Sequence, residues 1–294
     1  MGNLIALIRP KQWTKNLFVF LPIFFAGQLG NQASLINCLL AFVAFSFAAS
    51  AIYCINDVLD VEEDRIHPKK SKRPIASGAI SIPTAIVICV VLVSLSFLIV
   101  YLFSTTNKMQ QMFILACYVV LNLFYCFYLK KIAIIDVMTI ATGFVLRLII
   151  GGFAADVELT HWIIIMTYLL TLFIGFAKRR DDLVLQKNNG TILRKNTNRY
   201  NLEFINQVLC LLGGITIVCY IMYTVSPEVI ARFNSPHIYL TTIFVLGGIV
   251  RYLQLALVDE KTGSPTEILI KDRFIQASLV LWILSFYLII YLNG

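Results

Sequence analysis

The chain has 294 residues, of which 59% are hydrophobic and only 14% charged, with a formal net charge of +8. A soluble domain carries about a quarter charged residues, so this composition excludes an ordinary water-soluble enzyme. The positive balance could suggest a nucleic-acid partner, but the placement of the charges along the chain excludes that as well.

The apolar residues collect in blocks of about 17 to 24, each long enough to cross a bilayer core as a helix. Nine spans are expected, at about 14–30, 35–55, 80–103, 112–129, 132–154, 160–177, 205–225, 237–257 and 274–292. The fold class is therefore all-α: a single polytopic helical bundle over residues 1–294, with no separate soluble domain. The first span is the least regular, because Pro22 and Gly27 interrupt it; neighbouring helices can satisfy backbone groups that a proline frees. Arg9, Lys11 and Lys15 precede it, and no convincing small-residue cleavage site follows, so it reads as a span and not as a signal peptide. In RPKQWTKN, residues 9–16, Trp13 reads as a headgroup anchor. Lys11 and Lys15 either orient the helix or face the site.

The second span runs into NDVLDVEEDRIHPKKSKRPIASG, residues 56–78. Asp57, Asp60 and Asp64 are spaced i, i+3, i+7, which puts them inside an arc of about 60° on one helical face. Asn56 lies beside that arc, whereas Glu62 and Glu63 point elsewhere. Three carboxylates on one face repel unless a cation sits among them. Hard oxygen ligands suit Mg²⁺, which commonly binds one or two carboxylates plus substrate phosphates. Arg65, His67, Lys69, Lys70, Lys72 and Arg73 follow at once. Acids for a metal beside cations for phosphate are a means of holding a magnesium diphosphate. Pro68, Pro74 and Gly78 break the helix, so this part is expected to be a loop folded over the site. The plainer alternative is a solvated loop whose charges set topology; it does not explain three acids on one face.

Arg147, in GFVLR at 143–147, falls near the middle of the fifth span. A charge at that depth costs several kcal/mol and usually faces a cavity or a partner. It either serves the site or forms a helix–helix ion pair, with Asp136 as a candidate partner, or it snorkels. At the end of the sixth span stands FAKRRDDL, residues 176–183. Lys178, Arg179 and Arg180 alone would be a stop-transfer anchor, and Asp181 and Asp182 add a functional alternative. SPTEILIKDRF, residues 264–274, brings Glu267, Lys271 and Asp272 to the last span, as further site residues or as a surface turn. All seven cysteines lie in apolar spans without metal-ligand spacing and read as small core residues.

With the N-terminus inside, 21 of the 24 Lys and Arg residues fall on the cytoplasmic side, and only Lys108 and Arg232 fall in outer loops. The positive-inside rule then fixes the orientation, with the N-terminus cytoplasmic. Thirteen of the sixteen acids share that side. Acids contribute little to orientation, so they point to a site at the cytoplasmic mouth.

These stretches resemble the UbiA superfamily of intramembrane prenyltransferases over essentially the whole chain. Asn56-x₃-Asp60-x₃-Asp64 looks like that family's first aspartate-rich motif. Its aromatic prenyltransferases carry a second DxxxD after the sixth span. Here Asp181 and Asp182 are followed at i+4 by Leu185 and Gln186, and a basic Lys178-Arg179-Arg180 stands beside them. In that respect the chain is similar to the decaprenyl-phosphate phosphoribosyltransferase branch. The resemblance implies Mg²⁺-dependent transfer of phosphoribose from 5-phosphoribosyl 1-diphosphate to a polyprenyl phosphate at the cytoplasmic face of the cell (inner) membrane. The product would be a lipid-linked phosphoribose, a precursor of arabinofuranose donors for cell-wall polymers. It implies metal binding and catalysis by Asp57, Asp60 and Asp64. Substrate contacts are expected from Lys15, Asn56, Arg65, Lys69, Lys72, Arg73, Arg147, Lys178, Arg179 and Asp182. The rival is a prenyl transferase acting from a polyprenyl diphosphate on an aromatic acceptor. A transporter or lipid-binding protein is disfavoured, because no internal repeat with paired broken spans is visible. A homo-oligomer stays open.

Overall fold

The computed structural model describes residues 2–66, 70–189, 199–259, 268 and 271–292. Every regular element among them is a helix. The chain forms two compact units, one of residues 1–130 with 142–159, the other of 131–141 with 160–294.

In the first unit, α1 (Gly2–Ile8) leads through Arg9, at φ 56°, into a 3₁₀ helix over Pro10–Phe20, followed by α2 (Leu21–Phe25). The continuous span expected over about 14–30 is thus two pieces. Pro22 has no N–H for an i→i−4 bond, and Leu21 instead bonds back to the Phe18 carbonyl in the tighter register. Gly27, at φ 67°, follows α2.

α3 (Gln32–Leu59) starts at Asn31, whose side chain accepts the backbone N–H groups of Ala33 and Ser34 at 3.1 and 3.3 Å. It buries small residues, including Ala41, Ala44 and Ala48, and packs on α5 (Ile82–Phe103) and α6 (Lys108–Phe127). The core of the unit includes Val19, Cys38, Phe45, Leu115 and Ile150. Ile150 belongs to α7 (Ile135–Ala155), which supplies residues 142–155 here and 135–141 to the second unit. A Cβ at Gly151 would lie 2.1 Å from the Val19 carbonyl oxygen. Only glycine lets these two backbones meet, as small residues do in membrane bundles.

α3 overruns its expected end at 55, so Asn56 and Asp57 are helical. After Asp60 comes α4 (Val61–Ile66). The i→i+4 bonds Asp60 N–H to Asn56 O (3.0 Å) and Asp64 N–H to Asp60 O (2.8 Å) carry the helical repeat across that joint. A 3₁₀ turn over Lys70–Lys72 and a reversal through Gly78, at φ 78°, return the chain to α5, capped by Ser81.

The second unit contains α8 (His161–Asn189), α9 (Leu202–Thr224), α10 (Pro227–Phe233), α11 (Thr242–Leu257) and α12 (Arg273–Leu292). α8 and α9 make its most extensive packing. The core includes Val137, Phe173, Phe176, Leu209, Tyr252 and Ile275. α8 runs twelve residues beyond its expected end at 177, so Lys178 to Leu183 sit on the helix itself.

Among the described residues, seven helical stretches are long and apolar enough to cross a membrane: 32–59, 82–103, 108–127, 135–155, 161–186, 202–224 and 236–257. They match seven of the nine expected spans. The last expected span is α12, apolar over 273–289, and the first is the two-piece segment. Large apolar side chains such as Val87, Phe103, Phe113 and Ile243 are exposed, which a bilayer tolerates and water does not.

Candidate active site

The acids of the first unit sit where α3 hands over to α4. Asp57 and Asp64 are buried polar residues. They are two helical turns apart and share one guanidinium. Arg73 Nη1 donates to Asp57 Oδ1 at 2.9 Å and to Asp64 Oδ2 at 2.6 Å. Arg9 Nη2 donates to Asp57 Oδ1 at 2.6 Å, and its guanidinium lies over the Tyr53 ring, 5.3 Å from the centroid. Asp64 Oδ1 is buried and accepts no hydrogen bond; Lys70 Nζ is 3.7 Å away. Asp60 takes other partners. It pairs with Lys130 and accepts from Asn56 Nδ2 at 3.0 Å.

The helical-face argument therefore brings Asp57 and Asp64 together, while Asp60 meets a different cation. Among the described residues no three His, Cys, Asp or Glu side chains gather closely enough to cage a metal ion. The paired oxygens of Asp57 and Asp64, one of them without a hydrogen bond, suit the sparser Mg²⁺ site that two carboxylates complete with substrate phosphates. Glu62 and Arg65 pair with each other at 3.1 Å on the surface. Lys72 is exposed. Lys69 and His67 lie outside the described residues.

Arg147 is buried. Its Nε donates to Asn16 Oδ1 at 2.7 Å, Nη1 to the Gly143 carbonyl at 2.7 Å, and Nη2 to the Tyr118 hydroxyl at 3.2 Å. The rings of Phe45, Tyr118 and Phe144 lie 4.8, 5.0 and 5.1 Å from the guanidinium carbon. Among the described residues no carboxylate pairs with it, so the ion pair with Asp136 does not form. Lys15 adds a further cation, within electrostatic reach of both Arg147 and Arg9.

Asp136 is instead the partner of Arg179, in the second unit. Arg179 Nη2 and Nε lie 2.7 and 2.9 Å from Asp136 Oδ2, and Nη1 donates to Asp182 at 3.3 Å. Arg179, expected to contact phosphate, is committed to a buried ion pair. Arg180 Nε donates to Asn206 Oδ1 at 2.8 Å. Lys178 alone of this basic triplet is exposed. The Tyr200 hydroxyl donates to Asp136 Oδ1 at 3.2 Å and accepts the Ile134 N–H. Ile134 holds φ 70°, a left-handed conformation that costs a β-branched residue strain. Burial pushes the Tyr200 phenol up to about 12, so it keeps its proton for Asp136. In the last of the sequence clusters, Asp272 accepts from Arg251 Nη2 at 2.9 Å and from the Ile275 N–H at 3.0 Å. The Arg251 hydrogen bond holds Asp272 below the usual carboxylate range. Its role is to cap α12. Lys271 is exposed, and Glu267 lies outside the described residues.

Sequence reasoning missed Arg9, Asn16, Tyr118, Lys130 and Tyr200. Arg9 and Lys130 counted only toward orientation, and the others carried no charge to draw notice.

Three comparisons bear on this site. The profile of the UbiA prenyltransferase family matches residues 16–275. The chain is 31% identical to a decaprenyl-phosphate phosphoribosyltransferase of Corynebacterium glutamicum, over 99% of this chain and 87% of that protein. It is 32% identical to the protein of the same name from Mycolicibacterium smegmatis, over 96% of this chain and 91% of that one. The fold is similar to that of a UbiA homolog from Archaeoglobus fulgidus bound to GPP and Mg²⁺, with a TM-score of 0.72 at 19% identity over 98% of this chain and 99% of that chain.

Proposed function

Because the chain belongs to the UbiA prenyltransferase family and is a multi-pass membrane protein, we propose that it transfers 5-phosphoribose from 5-phosphoribosyl 1-diphosphate to a polyprenyl phosphate. Near full-length similarity to two proteins named for that reaction supports the reading. The observation that carries it over prenyl transfer is the end of α8. Asp181 and Asp182 have no acids at i+4, and Asp182 is tied to Arg179. The α8 end thus lacks the paired acids that prenyl transfer from a lipid diphosphate would want as a second metal-loaded cluster.

In the proposed reaction an oxygen of the lipid phosphate attacks ribose C1. The bond from C1 to the diphosphate oxygen breaks, and its electron pair leaves with the diphosphate. The acceptor is already an anion, so no strong general base is needed. C1 passes through an oxocarbenium-like state, as in other glycosyl transfers. Bound Mg²⁺, held by Asp57 and Asp64 with Asp60 in support, would neutralise charge on the departing diphosphate. Arg9, Arg73 and Lys70 stand beside those acids and are suited to the diphosphate oxygens. Arg147 and Lys15 are assigned to the polar end of the lipid phosphate.

The charge asymmetry of the loops supports a site on the cytoplasmic face, where a soluble sugar diphosphate is available. Mg²⁺ in the Archaeoglobus fulgidus homolog of like fold supports a divalent metal here. The test is mass spectrometry of the lipid product from purified protein, pairing each donor with each acceptor. Phosphoribosyl-lipid should form only with the sugar diphosphate and a polyprenyl monophosphate. A prenylated aromatic acid with no phosphoribosyl-lipid would overturn the assignment.

A further inference from the structure

Asp57 and Asp64 do not wait with open lone pairs. Asp57 Oδ1 accepts from both Arg9 and Arg73, Asp57 Oδ2 from Arg9, and Asp64 Oδ2 from Arg73. Among these four oxygens only Asp64 Oδ1 accepts no hydrogen bond, and it is 3.7 Å from Lys70 Nζ. A metal ion and a guanidinium want the same lone pairs. A divalent cation arriving alone would have to displace Arg73 from between the two carboxylates. It would then sit beside the positive charges of Arg9, Arg73 and Lys70 and compete with them for the same two carboxylates.

We propose that Arg9 and Arg73 are resident counter-ions of this acid pair, exchanged onto the substrate diphosphate when the metal enters, so that metal and diphosphate bind as one unit. The inference rests on the reaction assigned above and adds two positioning residues and an order of binding to it. The side chains of Arg9 and Arg73 are 23% and 25% exposed, whereas those of Asp57 and Asp64 are each 1% exposed. The arginines are therefore the partners free to swing, and the acids are the fixed ones. A diphosphate offers the guanidinium fork oxygens of matching geometry, and its negative charge offsets the cations the metal would otherwise meet. The coupling must be reciprocal: diphosphate tightens the metal by the factor by which the metal tightens diphosphate.

The experiment measures Mn²⁺ binding to the full-length purified protein by electron paramagnetic resonance, with and without inorganic diphosphate, corrected for Mn²⁺–diphosphate formed in solution. Wild type should bind Mn²⁺ weakly alone and about tenfold or more tightly with diphosphate. Arg73→Gln should tighten Mn²⁺ alone by about tenfold, as expected for removing a competing hydrogen bond to a charged group, and should shrink the effect of diphosphate. Arg9→Gln should act in the same direction. Wild-type protein that binds Mn²⁺ equally well with and without diphosphate would overturn the proposal, and this comparison needs no variant to fold. So would unchanged affinity in a folded Arg73→Gln protein, or no Mn²⁺ binding under any condition. Coupled binding without any phosphoribosyl-lipid product would leave the counter-ion exchange standing and remove the reaction assigned above.

Discussion

Arg179 and Asp136 form a closed pair: two guanidinium nitrogens meet one carboxylate oxygen at 2.7 and 2.9 Å, with the residues 1% and 0% exposed. Neither reaches a substrate without breaking the other's pairing. Removing one partner leaves a buried charge, which costs about 3 to 5 kcal/mol. Arg179→Ala should therefore lower the thermal unfolding midpoint sharply, and Asp136→Ala should do the same. The double variant should lose less than the two separate losses combined. A stable Arg179→Ala protein with a raised KM for the sugar diphosphate would return Arg179 to the phosphate-binding role.

The acids at the α3–α4 joint should separate by partner. Asp57→Ala and Asp64→Ala should abolish turnover, Asp60→Ala should reduce it severely, and EDTA should inactivate wild type. Glu62, whose side chain is 80% exposed and paired with Arg65, should tolerate alanine with near-normal activity. If Glu62→Ala were as damaging as Asp60→Ala, the assignment of roles along this helix would fail.

Arg147 combines burial, three hydrogen bonds and an aromatic surround with no carboxylate among the described residues. A purely structural cation so placed would be costly to keep. Arg147→Leu should leave the unfolding midpoint within a few degrees of wild type while activity falls at least about tenfold. Arg147→Lys should not restore activity, since a lysine lacks the planar fork that reaches Asn16, Gly143 and Tyr118 together. Normal kinetics in Arg147→Leu would end the functional role.

Tyr200 predicts a pH dependence. Its phenol is raised to about 12, against about 10 in an unfolded chain. The folded state therefore holds the proton more tightly. The stability this supplies is complete below pH of about 10 and is lost as pH rises toward about 12. Unfolding midpoints of wild type and Tyr200→Phe should differ most at neutral pH and converge across that window. A difference that stays constant to the top of the range would show that burial does not raise the Tyr200 phenol in the folded state.

Orientation can be read by labelling. Single cysteines placed beside Lys108 and Arg232 should react with an impermeant reagent from outside, and those beside Lys70 and Lys131 should not. The reverse pattern would put the acid cluster on the far side from a cytosolic donor.

The span pattern was legible because it depends on local quantities. An apolar block of sufficient length forms a helix in a bilayer whatever its neighbours do, and α3, α5, α6, α7, α9 and α12 appear close to their expected limits. The exceptions have local causes that a hydropathy block hides. Pro22 splits the first span into a 3₁₀ piece and a short α-helix, and the charged residues after 177 continue α8 because Arg179 finds Asp136. Periodicity likewise put Asp57 and Asp64 on one face, since two turns of helix align them across the joint at Asp60.

Which cation meets which acid was not legible. Arg9 and Asp57 are 48 residues apart, Lys130 and Asp60 are 70 apart, Arg179 and Asp136 are 43 apart, and Arg147 reaches Asn16 across 131. In the sequence Arg9, Lys130 and Arg179 are equivalent marks on the cytoplasmic side, because orientation depends only on their number. Pairing depends on distances of a few ångströms between helices, and only packing sets those. The composition and spacing of the chain by themselves determined a membrane bundle with an acid face at its mouth. The tertiary structure decided that Arg9 and Arg73 hold that face, that Arg179 is withdrawn into a buried pair, and that Arg147 has aromatic rings and amide oxygens around it in place of the candidate partner Asp136.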